Sequence, residues 1–446
     1  MPSREWWLLL RKELQELANS RSWWLLLVLV GLLVGHAFID ATSSYAEASG
    51  AGGGPAALSQ GLNPLSGIVV PVFGAYDLAG MLLFPFVVIR SIAAERDSGA
   101  LVLLLQAPVR VHNLIVAKGV ALLMGWIAAG LPGLLALLWW RAMHGHLHAP
   151  EVATVLLGHL LRGALTIGIG AAAGALAASA ASAAILALAF TLGTWALDYA
   201  AAARGGWFQL IAAYTPSAAL RTFEQGELRA STVAVMLVMT GGGLAVAVQW
   251  LQTGRTTARR AKGLGAVLVV VVAAALASSR FRSSTDVSED RRNSFSGADE
   301  LALRRIDSPL SIEVHLSPED PRRSDLERGV FAKLRRTMRD VRITYVARGR
   351  SGLFERDADH YGEVWYQIAG RRAMTRSATE EIVLETIYDV AALTPPVSAA
   401  AEPYPGYPLR ATPAHASLAF FALWPLIVGL AWWQSRRAFI THPSLP

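Results

Sequence analysis

The chain of 446 residues has no cysteine. That excludes disulfides, thiolate nucleophiles, iron–sulfur clusters and cysteine-based zinc sites. It is also short of charge: Asp, Glu, Lys and Arg make up 16%, against about 25% in soluble globular domains. No Gly-Lys pair occurs anywhere, so no P-loop for ATP is present, and neither H-E-x-x-H nor G-x-S-x-G occurs. What fills the sequence instead is apolar, 53% of all residues, gathered in long runs.

A bilayer core of roughly 30 Å takes about 20 mostly apolar helical residues to cross. Eight segments qualify: Ser22–Ile39, Gly67–Ile89, Gly119–Trp140, Ala153–Ala177, Ser182–Ala202, Ala230–Gly254, Gly263–Ser279 and Ser417–Trp433. The expected fold class is an α-helical polytopic membrane protein with about eight spans. Its domains are a surface helix at 1–21, a six-span region at 22–254, a basic linker and seventh span at 255–279, a charged insertion at 280–411, and the eighth span with its tail at 412–446.

An even number of spans puts both termini on one side. With that side cytoplasmic, the inner segments hold 14 Lys and Arg residues and the short outer loops four. The positive-inside rule therefore predicts cytoplasmic termini and an extracytoplasmic 280–411. That segment carries 21 basic and 21 acidic residues, so the whole net charge of +7 belongs to the membrane part. It reads as an orientation signal rather than a nucleic-acid footprint. The stretch before the first span is too long and too amphipathic for a secretory leader. Trp6, Leu10, Leu14 and Leu17 recur at helical spacing, with Arg11, Lys12, Glu13 and Glu16 on the remaining surface, which predicts a helix lying along the inner leaflet and in contact with membrane lipid.

The outer segment has ordinary soluble composition. Ser311–Ser317 alternates as a strand. Pro318 opens a helical stretch with Leu326, Val330, Leu334 and Met338 on one face, and Val341–Ala347 alternates again. Two strands turn about Gly370, and a closing helix starts at Thr379 as its cap. The order β-α-β-β-β-α predicts a small α/β domain. A Pro-rich tether, "TPPVSAAAEPYPGYPLR", leads back to the membrane.

Few polar groups invite chemistry. Asp77, Arg162 and Asp198 are ionisable groups within or at the ends of spans; Asp77 is the most embedded and Arg162 its nearest counter-charge. His144, His146 and His148 alternate on one outer loop and raise a metal site, against a polar loop at the bilayer edge. The carboxylates of the outer segment are interleaved with arginines, as in solvated ion pairs.

The connection after the second span reads "VVIRSIAAERDSGALVLLLQAPVRVHNLIVAKG". Arg90, Glu95, Gly99, Leu104, Pro108 and Lys118 resemble the coupling-helix region of type-2 ABC-exporter permeases, and the helix before the first span and "YTPSAALRTFEQGELR" resemble that family too. The resemblance covers about residues 1–254. "DVSEDRRNSFSGADELALRRIDSPLSIEVHLS" resembles the auxiliary domain of gliding-motility-associated ABC transporters, with a D-x-S-x-x-x-x-N-S-x-S start, although the match is shorter than in that family. The resemblance implies a permease subunit in a bacterial inner membrane. Its ATPase dimer, with ATP and Mg, would be a separate polypeptide, and a second permease half would complete it. Arg90, Glu95, Arg96, Gly99, Leu104 and Pro108, within a coupling element at 90–118, would meet the ATPase, Glu95 and Arg96 first. No catalytic residue or cofactor is expected on this chain. The alternatives are a non-transporting transmission or scaffold subunit acting on an envelope protein, and a metal-dependent membrane enzyme built on the three histidines.

Overall fold

The computed structural model describes residues 4–50, 63–106, 110–204, 215–252, 254–281, 283–317, 320–346, 360–396, 404–405, 407–409 and 413–441. Pro108, Pro318 and most of the Pro-rich tether lie outside these residues. The chain divides into two compact units, Met1–Ser283 with Pro405–Pro446, and Ser284–Tyr404.

The first unit is helical. It comprises α1 (Arg4–Asn19), α2 (Arg21–Gly50), α3 (Leu65–Asp97), α4 (Ala100–Gln106), α5 (Val111–Ala142), α6 (Ala149–Leu176), α7 (Ala180–Arg204), α8 (Pro216–Glu224), α9 (Ala230–Leu251) and α10 (Thr257–Ser278), and the returning α14 (416–441). Eight of these are long and apolar enough to cross a membrane: α2, α3, α5, α6, α7, α9, α10 and α14. Several run past the apolar stretch that defines them. α3 continues through Arg90 to Asp97, and α2 through Asp40 to Gly50. α5 is broken only at Gly130, where Pro132 starts its second half.

The core of this unit joins α2, α3, α5 and α6, with Val30, Val34, Phe38, Phe73, Phe84, Trp126 and Trp140 fully or nearly buried. Glycine makes the closest crossings possible. A Cβ on Gly243 of α9 would lie 2.4 Å from the Gly168 carbonyl of α6, so here backbone meets backbone. Gly31 and Gly35 of α2 receive Trp424 and Phe420 of α14, and the Trp424 indole donates to the Leu27 carbonyl at 2.8 Å. At the other extreme, only 6% of α10's apolar window is covered by protein against 56% of α6's. An apolar helix left so bare is suited to lipid rather than to water.

The second unit contains α11 (Gly297–Arg304), β1 (Leu310–Val314), α12 (321–337), β2 (Val341–Tyr345), β3 (Val364–Ile368), β4 (Arg371–Thr375) and α13 (Glu380–Ala391). The sheet order is β2-β1-β3-β4; β1 and β2 are parallel, the other pairs antiparallel. α12 is thus the crossover of a βαβ unit, with a π turn at Leu326–Phe331. Alternation in β1 buries Leu310, Ile312 and Val314 against Leu326, Val330 and Leu334 of α12 and Val383 and Ile387 of α13. The β3–β4 hairpin turns on Ala369 and Gly370, both at positive φ, as a two-residue hairpin of this hand requires.

The caps of α12 and α13 differ in kind. α12 is capped by Asp320, whose side chain accepts from the Arg322 amide, with Pro321 in the first turn. Thr379 stands at the start of α13, but its side chain makes no capping bond; its amide donates to Ser377 Oγ instead.

Candidate functional site

The densest charged cluster joins α1, α3 and α5. Lys118 is buried on α5, about two turns into the helix, and its Nζ lies 2.7 Å from Glu13 Oε2, 2.9 Å from Glu95 Oε1 and 3.0 Å from the Ser91 carbonyl. Lys12 Nζ lies 3.1 Å from Glu13 and 2.9 Å from Glu16, and also pairs with Glu95. Two ammoniums and three carboxylates therefore fasten α1 to α3 and α5. Burial pushes the Glu13 carboxyl up despite Lys118, whereas burial of Lys12 is outweighed by Glu95, Glu13 and Glu16, which raise it. A cavity of about 330 Å³ opens beside the cluster, lined among others by Glu16, Arg90, Glu95 and Lys118.

This corrects the placement of Glu13 on the open surface of α1. Glu13 is on the buried side of α1, and α1 is docked on α5 through Leu9 and Glu13 rather than merely lying on a surface. Glu95 and Arg96, expected to meet a partner first, are turned inward. Glu95 is 5% exposed and spoken for by both lysines. Arg96 donates from one nitrogen to the carbonyls of Gly174 and Ala177 at the end of α6, at 3.3 and 2.5 Å, satisfying carbonyls that a helix end leaves open. Neither offers its charge outward. The side chains exposed nearby are Arg90 and Asp97 on α3 and the apolar Val102 and Leu103 on α4, the last two 56% and 70% exposed. Leu104 packs half-buried against Leu9, Leu101 and Leu114. Gly99 makes the turn between α3 and α4 at φ 77°, a conformation that costs glycine little.

Within the spans, Arg162 Nε lies 3.4 Å from Asp77 Oδ1, with Arg162 buried and Asp77 nearly so. Beside them His159 is 2% exposed, its ring against Phe73 and Tyr76, and its carbonyl receives the Trp126 indole. Arg162 thus lies inside the bundle and does not reach out to an interface. Asp198 accepts from Thr215 Oγ1 at 2.5 Å and pairs with Arg221 of α8 at 3.4 Å. Glu224, at the end of α8, is pushed up to about 7 by burial and by the charge of Asp77, against Arg221.

The three loop histidines do not form one site. His144 has a positive φ, His146 stacks on Tyr407 at 3.5 Å, and His148 starts α6. Among the described residues, the imidazole or carboxylate group whose ligand atoms come within 4.8 Å of one another is Glu13, Glu16 and Glu95, and the Lys12 ammonium already sits against all three. In the second unit, Asp320 is held by Arg322 at 2.8 Å and Glu363 by Arg376 at 3.0 Å, so these carboxylates are ion-paired.

Lys12, Glu13 and His159 were not among the sites read from sequence. Glu13 follows Leu9 by four residues and precedes Leu17 by four, so helical spacing alone puts it on the apolar face. His159 sits in an otherwise uncharged stretch three residues before Arg162, on the same side of the helix. Comparison of the chain with protein-family models, with curated proteins and with solved structures finds no match.

Proposed function

We propose that the chain is the membrane subunit of an ATP-driven exporter, working with a separate ATPase and a second permease half in a bacterial inner membrane. The observation that carries the proposal is the break at Gly99: between two apolar spans the chain folds back into the short α4, whose Val102 and Leu103 are exposed. An exposed apolar patch on a connecting element, in a segment flanked by the exposed Arg90 and Arg110, suits a soluble partner that pushes on it. The α1 cluster would stiffen that end, so that movement of α4 is passed to α3 and α5 together.

The test is affinity purification of the tagged chain from its native membrane. A P-loop ATPase is expected to co-purify with the wild type, and to be lost with Val102→Glu plus Leu103→Glu while the size-exclusion profile is kept. Recovery of envelope proteins without any ATPase would overturn the proposal. It would leave the alternative that the chain transmits or anchors, which the separate core of the 284–404 unit favours: that unit buries Phe331, Tyr366 and Tyr388 independently of the spans.

A further inference from the structure

A second cavity, of about 340 Å³, lies where α3, α6 and α9 end and α10 begins. Its walls are Ile92, Leu101, Leu176, Trp250 and Leu251, and its polar lining comes from Arg96 and Arg260. Both guanidiniums are only partly satisfied. Arg96 uses one terminal nitrogen on the α6 carbonyls, and its other is buried without a partner. Arg260 donates one terminal nitrogen to the Gln252 carbonyl at 3.1 Å and lies over the Trp250 ring, while its Nε is buried without a partner. Asp97, the carboxylate paired with Arg96 among the described residues, is 67% exposed and 4.0 Å away. The chain from Gln252 to Lys262 adds Arg255, Arg259 and Lys262 and no acid.

Two half-buried cations, each with a buried nitrogen that lacks a partner, face this partly open cavity and leave room for a counter-charge. The site's depth identifies the kind. Four span ends and a tryptophan meet there, which is headgroup level, and the remaining walls are aliphatic, as an acyl chain requires. We infer that this cavity binds the phosphate of an anionic phospholipid between Arg96 and Arg260, with the lipid tail along the α9–α10 face. That face already offers an apolar groove at Gly241, Gly242, Ala245 and Val270. A lipid seated there would tie the end of α6 to the end of α3 through Arg96, beside Leu101 of α4 and the exposed patch on that helix. The site requires only that the helices sit in a membrane, so it stands or falls separately from the ATPase proposal.

The experiment uses the full chain, delipidated in detergent, with binding of phosphatidylglycerol and of phosphatidylcholine followed by native mass spectrometry. Arg96 also caps α6, so Arg260→Gln is the informative variant, and Arg255→Gln, exposed and of equal charge change, is its control. Phosphatidylglycerol is expected to be retained over phosphatidylcholine, and Arg260→Gln to weaken it about fivefold, the effect of one cation at a membrane surface, with Arg255→Gln unchanged. Inorganic phosphate at millimolar concentration is expected not to displace the lipid. Equal retention of the two lipids, equal weakening in both variants, or full displacement by phosphate would each overturn the inference.

Discussion

Lys118 shows what a buried charge costs and how this chain meets that cost. Its three acceptors, Glu13, Glu95 and the Ser91 carbonyl, account for all three ammonium protons. Removing one partner of such a set is worse than removing the set, because the buried Glu13 and Glu95 are then left with the half-buried Lys12 as their one counter-charge in the cluster. Lys118→Met is therefore expected to destabilise the chain by about 3–5 kcal/mol, and adding Glu13→Gln and Glu95→Gln to recover most of that. Thermal melting in detergent of the single and triple variants tests it; a triple variant no better than Lys118→Met would contradict the pairing. A second residue has the same weight in the other unit. Asp286 accepts from the amide and hydroxyl of Ser288 (3.0 and 2.5 Å), the amide and side chain of Asn293 (3.0 and 3.2 Å) and the hydroxyl of Ser294 (2.7 Å). Burial raises its carboxyl, but these donors win and hold it below its ordinary value of 3.8. A carboxyl depressed by folding adds stability above that unfolded value, lost as pH falls through the folded one. Hydrogen exchange of peptides spanning 286–304, corrected for its intrinsic pH dependence, should stay slow down to pH 4 and quicken below it. Asp286→Asn should quicken it already at neutral pH, by a loss of about 1–3 kcal/mol.

The helices and strands were legible in the sequence where a run or an alternation is local. The eight apolar runs are eight helices long and apolar enough to cross a membrane, and the alternation read at 311–317 and 341–347 contains the two parallel strands Leu310–Val314 and Val341–Tyr345. The D-x-S-x-x-x-x-N-S-x-S start was visible only as spacing; it is a knot of donors around Asp286, with Ser296 capping α11. Where helices stop was less legible. A charge rule ends the second span at Arg90, whereas α3 runs on to Asp97, because Glu95 is neutralised by lysines 83 and 23 residues away in the chain and Arg96 by carbonyls of α6. Such partners are set by the fold and leave no local trace. The Ala- and Gly-rich spans were ambiguous between a polar path and close packing, and at α6–α9 they pack. Gly243→Leu is expected to separate these helices, since the group it meets is the Gly168 backbone and not a side chain that can turn away. A cost of roughly 2 kcal/mol or more follows from overpacking a fixed crossing. Gly241→Leu, two residues earlier, has nothing within 4 Å of its added Cβ and should cost far less. Equal melting temperatures for the two variants would refute the crossing.

The charge pattern makes one further demand, on how the protein is threaded through its membrane. If all eight apolar helices cross the membrane, as the charge count predicts, the two ends of the chain share a side and α10 puts the basic linker at 255–262 and the 284–404 unit in opposite compartments. Because the chain has no cysteine, the native protein is its own blank for thiol labelling. Leu301 on α11 is 61% exposed and Arg259 at the start of α10 is exposed, so either can carry a reporter without disturbing a core. In intact cells made permeable only at the outer membrane, a membrane-impermeant maleimide should label Leu301→Cys and spare Arg259→Cys. After the inner membrane is opened, both should react. The reverse pattern would invert the molecule and move the α4 patch away from any cytoplasmic ATPase. Labelling of both positions in intact cells would remove α10 as a span. The positive-inside count decides between these outcomes in advance: moving 14 cationic residues outward against four inward opposes both the insertion bias and the membrane potential.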